Sequence, residues 1–413
     1  MGGRRVRHSV SKVQGVLAVV LALVGAAWAA NTTQVIYSFA GGNDGEYTDT
    51  ELVMDSAGNL YGTSVQGGAF GGGTVFQLAP SGSGWTHTVL YNFTGGADGG
   101  EPYKGVTLDS HGNLYGTAVT GGSGSCEGGC GVVYQLTNSG GVWAESVIHA
   151  FTGGNDGSGP GSPVVFDKRG DLYGTTPTGG AKGFGVVYEM RPSANGSWNL
   201  SVIHTFTGGT DGLGGSASKM LLDSAGNLYG TSTVGGANGF GNVFKLTFSG
   251  SQWQLTTLYS FKDQPDGASP YGGVILGKDG NLYGTTYYAG ANDVGTVYKL
   301  THNSGSWIES VIYNFKGGSD GDSPISTLVS DPKGDLYGTT SDGGSPQCGC
   351  GTIFRLRPGS GGAWTESVAY RFPGDPKAGF AYNGMVSDGT GNFYGATVHG
   401  GTENDGAIYR FVP

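Results

Sequence analysis

Charged residues are scarce in this chain, with Asp, Glu, Lys and Arg together making up only 13% of its 413 residues. Lys and Arg never gather into a run that could track a phosphate backbone or an anionic lipid surface, so nucleic acid is excluded as the expected partner. No segment places apolar residues at a helical period, which excludes helical bundles and α/β folds. After residue 30 no apolar run approaches the roughly 20 residues that a membrane-spanning helix needs. Nucleophile elbows, phosphate-binding loops and zinc-protease helices are missing as well. Low charge alone would suit a disordered chain poorly, and aromatics stay at 11% beside 85 glycines. That combination describes a folded protein rich in tight turns.

The first thirty residues differ from the rest. Arg4, Arg5, Arg7 and Lys12 precede an apolar run from Val16 to Val24, and small residues follow at Ala27, Ala29 and Ala30. The run is too short to span a bilayer, so residues 1–30 are expected to be a cleaved secretory signal and residues 31–413 a single domain. Cleavage removes four of the 21 cationic residues and none of the 31 acidic ones, leaving a net charge of about −14. The mature chain is expected to be secreted, periplasmic or extracellular, and monomeric.

What the chain has in abundance is repetition. Gly-Asn-Leu-Tyr-Gly-Thr at Gly58 to Thr63 returns, with small changes, around Tyr61, Tyr115, Tyr173, Tyr229, Tyr283, Tyr337 and Tyr394, at intervals of 54, 58, 56, 54, 54 and 57 residues. Such a period marks one structural unit copied seven times. Each unit holds four short segments of β-branched and aromatic residues, as in Val106 to Leu108, Leu114 to Ala118, Val132 to Leu136 and Trp143 to Phe151. An Asp stands six residues before the tyrosine in every unit except the fifth, where Gly277 replaces it. That Asp can bond the backbone two residues on, and the Gly that follows can take positive φ, so a tight hairpin is expected between the first two segments. The third segment reads Val-Phe/Tyr-x-Leu; the fourth opens on a tryptophan such as Trp85 and ends eight residues later on a phenylalanine such as Phe93. These fourth-segment aromatics are expected to cover the glycine after each tyrosine and to form the core between units.

Seven four-stranded units predict an all-β fold, a seven-bladed β-propeller. Val35 to Phe39 matches a fourth segment and Gly406 to Phe411 a third, so the N-terminal strand is expected to complete the last blade and close the ring. A parallel β-helix is the rival, but its coils are shorter and would not carry these hairpins. Calcium-binding nonapeptide repeats are excluded by the order and spacing of Gly and Asp.

Gly226 to Thr231, then Gly235-Gly236, then Gly241 to Leu246 carry a motif that resembles the GloVer tandem-repeat family of secreted bacterial proteins. The resemblance extends over Thr33 to Pro413. It implies a secreted repeat protein and brings no activity with it.

In a propeller the loop from second to third strand and the connection to the next blade emerge on one face, and both are variable here. The inter-unit connections place Asp44, Asp98, Asp156, Asp211, Asp266 and Asp320 at one position, while the seventh unit has Lys377 there. A carboxylate ring for Ca²⁺ or sugar hydroxyls is one reading; an Asp capping a glycine turn is the plainer one and is preferred, with no cofactor or metal expected and calcium kept as the alternative. Cys126 with Cys130, and Cys348 with Cys350, fall in the only two lengthened loops between second and third segments, and local disulfides are expected there. A shared zinc site would need all four thiolates together, on units that are not neighbours. Five residues after the tyrosines stand Gln66, Thr120, Thr178, Val234, Tyr288, Asp342 and His399. Gln66, Tyr288, Asp342 and His399 lie on consecutive units of a closed ring and contain acid, base and nucleophile types, so they are candidates for ligand binding and, secondarily, for catalysis. Tyr271, Tyr287 and Tyr382 are the further aromatics a glycan would use. His149 and His204 replace tyrosines at one strand position and are read as half-buried aromatics.

The functional expectation is a binding or scaffold protein that recognises an extracellular polysaccharide or surface protein through its loop face. A carbohydrate-active lyase or hydrolase at the same face is the alternative, and a structural repeat protein of the cell envelope is the third possibility.

Overall fold

The structure, a computed structural model, describes residues 1–2, 31–215, 218–374 and 377–413. The signal expected over residues 1–30 therefore lies, from residue 3 onward, outside the described residues. Residues 31–413 form one compact body of seven antiparallel blades. Blade 1 runs from Val53–Met54 to Gly84–Asn92, blade 2 from Val106–Leu108 to Val142–Ala150, blade 3 from Val165–Phe166 to Trp198–Thr205, and blade 4 from Leu221–Leu222 to Gln252–Ser260. Blade 5 runs from Ile275–Leu276 to Ser306–Asn314. Blade 6 has a divided first strand, Asp322–Pro324 and Val329–Ser330, and ends at Trp364–Arg371.

Blade 7 is built from both ends of this body. Val386–Ser387, Phe393–Thr397 and Ala407–Val412 receive Thr32–Ser38 as their fourth strand, in the register Thr32↔Val412 to Ser38↔Ala407. The ring is thus closed by backbone hydrogen bonds, as the sequence predicts, and no sheet edge is left at the joint. In blades 1 to 6 the first-to-second and third-to-fourth hairpins share one face, the hairpin face, and in blade 7 the first-to-second hairpin lies there with Thr32 and Val412. Second-to-third loops and inter-blade connections share the other, the loop face.

The first hairpin forms as its sequence dictates. Asp55 Oδ1 accepts from the backbone N–H groups of Ala57 and Asn59 at 2.9 Å each, its Oδ2 accepts from the Tyr61 hydroxyl at 3.1 Å, and Gly58 takes φ +84°. In blade 5, where Gly277 replaces the Asp, Asp279 reaches back from the other side of the turn and accepts from the Tyr283 hydroxyl at 2.7 Å. The tyrosine anchor therefore survives the substitution.

The packing of the blades corrects one expectation. The glycine after each tyrosine is covered by the third-strand aromatic directly across the ladder, Gly62 by Phe76 and Gly230 by Phe244, rather than by the fourth-strand Trp or Phe. The reason is register: the residue opposite a glycine on the adjacent strand is the one whose ring can fold over the missing side chain. The fourth-strand phenylalanine instead meets the third-strand ring of the next blade. Seven such edge-on pairs run round the ring, from Phe39–Phe76 through Phe93–Tyr134, Phe151–Tyr188, Phe206–Phe244, Phe261–Tyr298 and Phe315–Phe354 to Phe372–Tyr409, with centroids 4.9 to 5.5 Å apart. All these rings are fully buried. A bulge at the same point of each third-to-fourth pairing, between Val75 and Phe76 in blade 1, turns the phenylalanine inward.

An added Cβ at Gly230 would lie 2.5 Å from Phe244 Cζ, whereas at Gly84 its nearest neighbour is 3.9 Å away. Gly230→Ala is therefore expected to lower unfolding free energy by about 1–3 kcal/mol. Gly84→Ala should stay within about 0.5 kcal/mol in the same urea titration.

Candidate functional site

The six loop-face aspartates are each held within their own turn. Asp44 accepts from the Tyr37 hydroxyl at 2.6 Å and the Ala40 N–H at 2.8 Å, Asp98 from Tyr91 at 3.0 Å and Thr94 N–H at 2.9 Å, and Asp320 from Tyr313 at 2.9 Å and Lys316 N–H at 2.8 Å. Asp266 takes the Tyr259 hydroxyl. His149 and His204 fill the tyrosine slot and approach Asp156 at 3.1 Å and Asp211 at 3.2 Å. Burial alone would raise the Asp44 and Asp98 carboxyls, yet hydrogen bonds with His87, Tyr37 and the Ala40 N–H in the first case, and with the Thr94 hydroxyl and N–H and Tyr91 in the second, hold both below the ordinary range. Among the described residues no three His, Cys, Asp or Glu side chains converge as a metal-ligand set.

The next blade adds a second layer that sequence reading did not single out. Two residues after the tryptophan, the fourth strand carries His87, Glu145, Glu309 or Glu366 in blades 1, 2, 5 and 6, and Leu200 or Leu255 in blades 3 and 4, all paired with the third strand's Leu or Met. His87 meets Asp44 at 3.1 Å. The three glutamates face Asp98, Asp266 and Asp320, and each has a buried Oε1 without a hydrogen bond. The two columns covary: where a tyrosine serves the aspartate, the next blade offers His or Glu, and where His149 or His204 serves it, the next blade offers leucine. Lining up the seven units column by column would have exposed this.

The expected arc is spread over the loop face. Gln66 pairs through its backbone with Glu46, Tyr288 with Ala268, Asp342 with Asp322 and His399 with Gly379, so all four extend the second strand toward the inter-blade connection. Their side chains go separate ways. Tyr288 lies edge-on to Tyr287 at 4.3 Å, Asp342 Oδ2 accepts from the Ser341 hydroxyl at 2.5 Å, and His399 lies between the rings of Tyr47 at 5.2 Å and Phe380 at 5.6 Å. No hydrogen bond joins Gln66, Tyr288, Asp342 or His399 to one another among the described residues.

What the fold does assemble is a mouth around the propeller axis. Tyr271 packs edge-on to Tyr287 at 5.2 Å, and Tyr287 continues to Tyr288. Tyr288 is 53% exposed and Tyr271 40%. Burial and the nearby charge of Asp342 raise the hydroxyl of Tyr382, while burial and the charges of Glu101 and Asp49 raise that of Tyr103. Lys104 Nζ bridges Asp49 Oδ1 at 2.7 Å and Asn383 Oδ1 at 3.0 Å, and Asn383 Nδ2 donates to Asp49 at 2.6 Å. A cavity of about 440 Å³ on the axis is lined by first-strand residues of blades 1 to 6, Glu51, Lys219 and Thr327 among them. Burial raises the Glu51 carboxyl and lowers the Lys219 ammonium, each partly offset by the other's charge.

The cysteines pair locally, Cys126 with Cys130 and Cys348 with Cys350. The second bridge lines a cavity of about 380 Å³ with Phe380, Tyr382 and His399. No helix among the described residues is long and apolar enough to cross a membrane.

The strand order and the closure by Thr32–Ser38 define a seven-bladed β-propeller. The chain belongs to the Gloeobacter/Verrucomicrobia repeat family, whose model matches residues 22–128, 123–350 and 254–413. None of the curated proteins matches it. Among solved structures it is similar to a hypothetical selenium-binding protein from Sulfolobus tokodaii, at 9% identity over 75% of this chain and 74% of that one, TM-score 0.54. It is also similar to a protein from Lactobacillus plantarum, at 14% identity over 86% and 99% of the two chains, TM-score 0.52. A structure from Bacteroides uniformis provisionally named a 6-phosphogluconolactonase matches at 14% identity over 77% and 84%, TM-score 0.51. At such identities the likeness concerns the fold alone.

The seam glutamates make stability depend on pH. Burial first, and the neighbouring aspartates second, raise Glu145 and Glu366 to about 7 and Glu309 to about 8, from an ordinary 4.5. The folded protein thus keeps protons that the unfolded chain releases above about pH 4.5, and their stabilisation is complete below that pH and lost as pH rises through 7 to 8. Thermal melts are expected to show Tm falling between pH 5 and 8.5, with a flatter profile when all three are changed to Gln. Equal slopes in the two proteins would refute the assignment.

Proposed function

We propose that this is a secreted binding protein that holds an extracellular glycan across the loop-face mouth of its axial channel. The observation that carries the reading is the run Tyr271, Tyr287 and Tyr288 on blade 5, exposed at Tyr271 and Tyr288 and half-buried at Tyr287. It stands beside the hydroxyls of Ser323, Ser341 and Tyr382 and the carboxylate of Asp342 on blades 6 and 7. These tyrosines sit outside the seam pairs that hold the ring together, and a sugar's C–H face stacks on such rings while its hydroxyls take the neighbouring polar groups. The disulfides fit an oxidising compartment. Binding suits the separation of Tyr288, Asp342 and His399 better than a hydrogen-bonded relay, since a chain-like ligand crosses several blades at once. No calcium or other cofactor is invoked.

A glycan array probed with residues 31–413, with and without calcium, is expected to give hits that weaken by about 1.4 kcal/mol or more, at least tenfold, in Tyr288→Ala and in Tyr271→Ala. Both variants should retain the wild-type Tm. Hits unaffected by either variant would remove the mouth as the site, and a blank array would remove glycans as its ligand.

A carbohydrate-active enzyme is the second reading, and it rests on Glu51 and Lys219 in the channel beneath the mouth. A carboxyl raised by burial beside a lowered ammonium supplies the proton donor and acceptor that glycosidic cleavage requires. If the array ligand is cut, new reducing ends should accumulate with the wild-type protein and fall at least 100-fold with Glu51→Gln. No release by wild type leaves binding alone.

A further inference from the structure

On the hairpin face, five seams set a second-strand tyrosine edge-on to the tryptophan that opens the next blade's fourth strand, as in Tyr61–Trp143 and Tyr173–Trp253, while Tyr337 at the seam of blades 6 and 7 meets Phe393 and Phe411. At the seam of blades 3 and 4 this arrangement opens into a cleft of about 600 Å³. That volume lies in the range of small-ligand sites.

Two features distinguish this seam. The residue paired across the ladder with the tryptophan is Phe248, where the other blades have Pro80, Asn138, Pro192, His302 or Pro358. Phe248 is 52% exposed and meets Trp253 at 5.5 Å and 58°, so two rings form an open aromatic corner. The facing wall holds a planar polar network. Arg169 Nε donates to Asp167 Oδ2 at 3.0 Å and its Nη2 approaches Asp171 at 3.0 Å. Arg191 Nη2 donates to Glu189 Oε1 at 3.0 Å, and the Tyr173 hydroxyl donates to the same oxygen at 2.9 Å. Hydrogen bonds to Asp167, Asp171 and Glu189 thus fix both guanidinium planes. Their Nη1 groups have no hydrogen bond among the described residues, and Arg169 is 65% exposed.

We propose that this cleft is a binding site for a neutral oligosaccharide segment, separate from the loop-face mouth. Aromatic rings meeting pre-oriented guanidinium donors match the two surfaces of a sugar, apolar C–H faces and vicinal hydroxyls. The ligand is neutral because Arg169 and Arg191 are paired with Asp167, Asp171 and Glu189, and with Lys168 and Asp223 also at the cleft three cations stand among four carboxylates, so a uronate or phosphate meets no net positive charge. The site stands independently of the loop-face reading. If both hold, the protein grips glycan on opposite faces and links two chains.

The test is calorimetric titration of residues 31–413 with maltotriose, cellotriose and laminaritriose, with trigalacturonate as the anionic control. At least one neutral trisaccharide is expected to bind, with affinity reduced tenfold or more in Phe248→Ala and in Arg169→Gln and unchanged in Tyr288→Ala. Both cleft substitutions replace exposed side chains, and an unaltered Tm will verify that the fold is intact. Binding lost in Tyr288→Ala but kept in both cleft variants would overturn the cleft and leave the mouth standing; the opposite pattern supports the cleft, and the mouth is judged by the array with Tyr288→Ala and Tyr271→Ala. No binding of any neutral trisaccharide at about 10 mM, a free energy weaker than about −3 kcal/mol, overturns the proposal. So does preferential binding of trigalacturonate.

Discussion

The ring depends on a contact between three residues from two blades. A second-strand glycine leaves room for the third-strand aromatic of its own blade, and that ring in turn receives the last phenylalanine of the blade before. Each element requires the other two. A side chain at the glycine would push the ring into the seam, a smaller residue in place of the ring would leave a cavity between blades, and without the bulge the phenylalanine would face solvent. Fully burying each phenylalanine contributes about 1.5–3 kcal/mol, and the contact occurs seven times, with Phe39 supplying the last one where the chain's two ends meet. Short strands and many glycines are tolerable because stability resides in these seams more than in any single sheet.

Above this apolar belt lies a polar one with the same periodicity and less uniformity. Each connecting aspartate is held by a tyrosine or histidine of its own blade, and the following blade presents a partner matched to that choice. Glutamate opposite a tyrosine–aspartate pair can retain its proton, as the raised carboxyls of Glu145, Glu309 and Glu366 indicate; leucine opposite a histidine–aspartate pair removes the need for one. The fold thus admits titratable groups between blades without leaving bare charge in the seam.

Candidate sites arise where the sevenfold pattern fails. Blade 5 alone places tyrosines side by side at the end of its second strand, Tyr287 and Tyr288, next to Tyr271, and Glu51 and Lys219 occupy a position ten residues before the repeat tyrosine that is glycine in blades 2, 5 and 7. Between blades 3 and 4, Phe248 stands beside Trp253 where other blades pair the tryptophan with Pro, Asn or His, and it lines the cleft there. A symmetric frame makes such departures visible, because the same position in the other blades shows what structure alone requires.

The repeat motif by itself determined the blade number, the hairpins and the closure by Thr32–Ser38, since all three follow from local periodicity and from matching one segment with another. It also placed both disulfides, whose partners lie two and four residues apart. Only the tertiary structure decided which aromatic covers the strand glycine, because cross-strand register is a relation between segments that no single segment specifies. It likewise separated Gln66, Tyr288, Asp342 and His399, which share a column in the sequence but turn toward different neighbours. And it joined Asp49, Lys104 and Asn383, from blades 1, 2 and 7, in one hydrogen-bonded group: residues far apart along the chain become neighbours only when the ring closes around its axis.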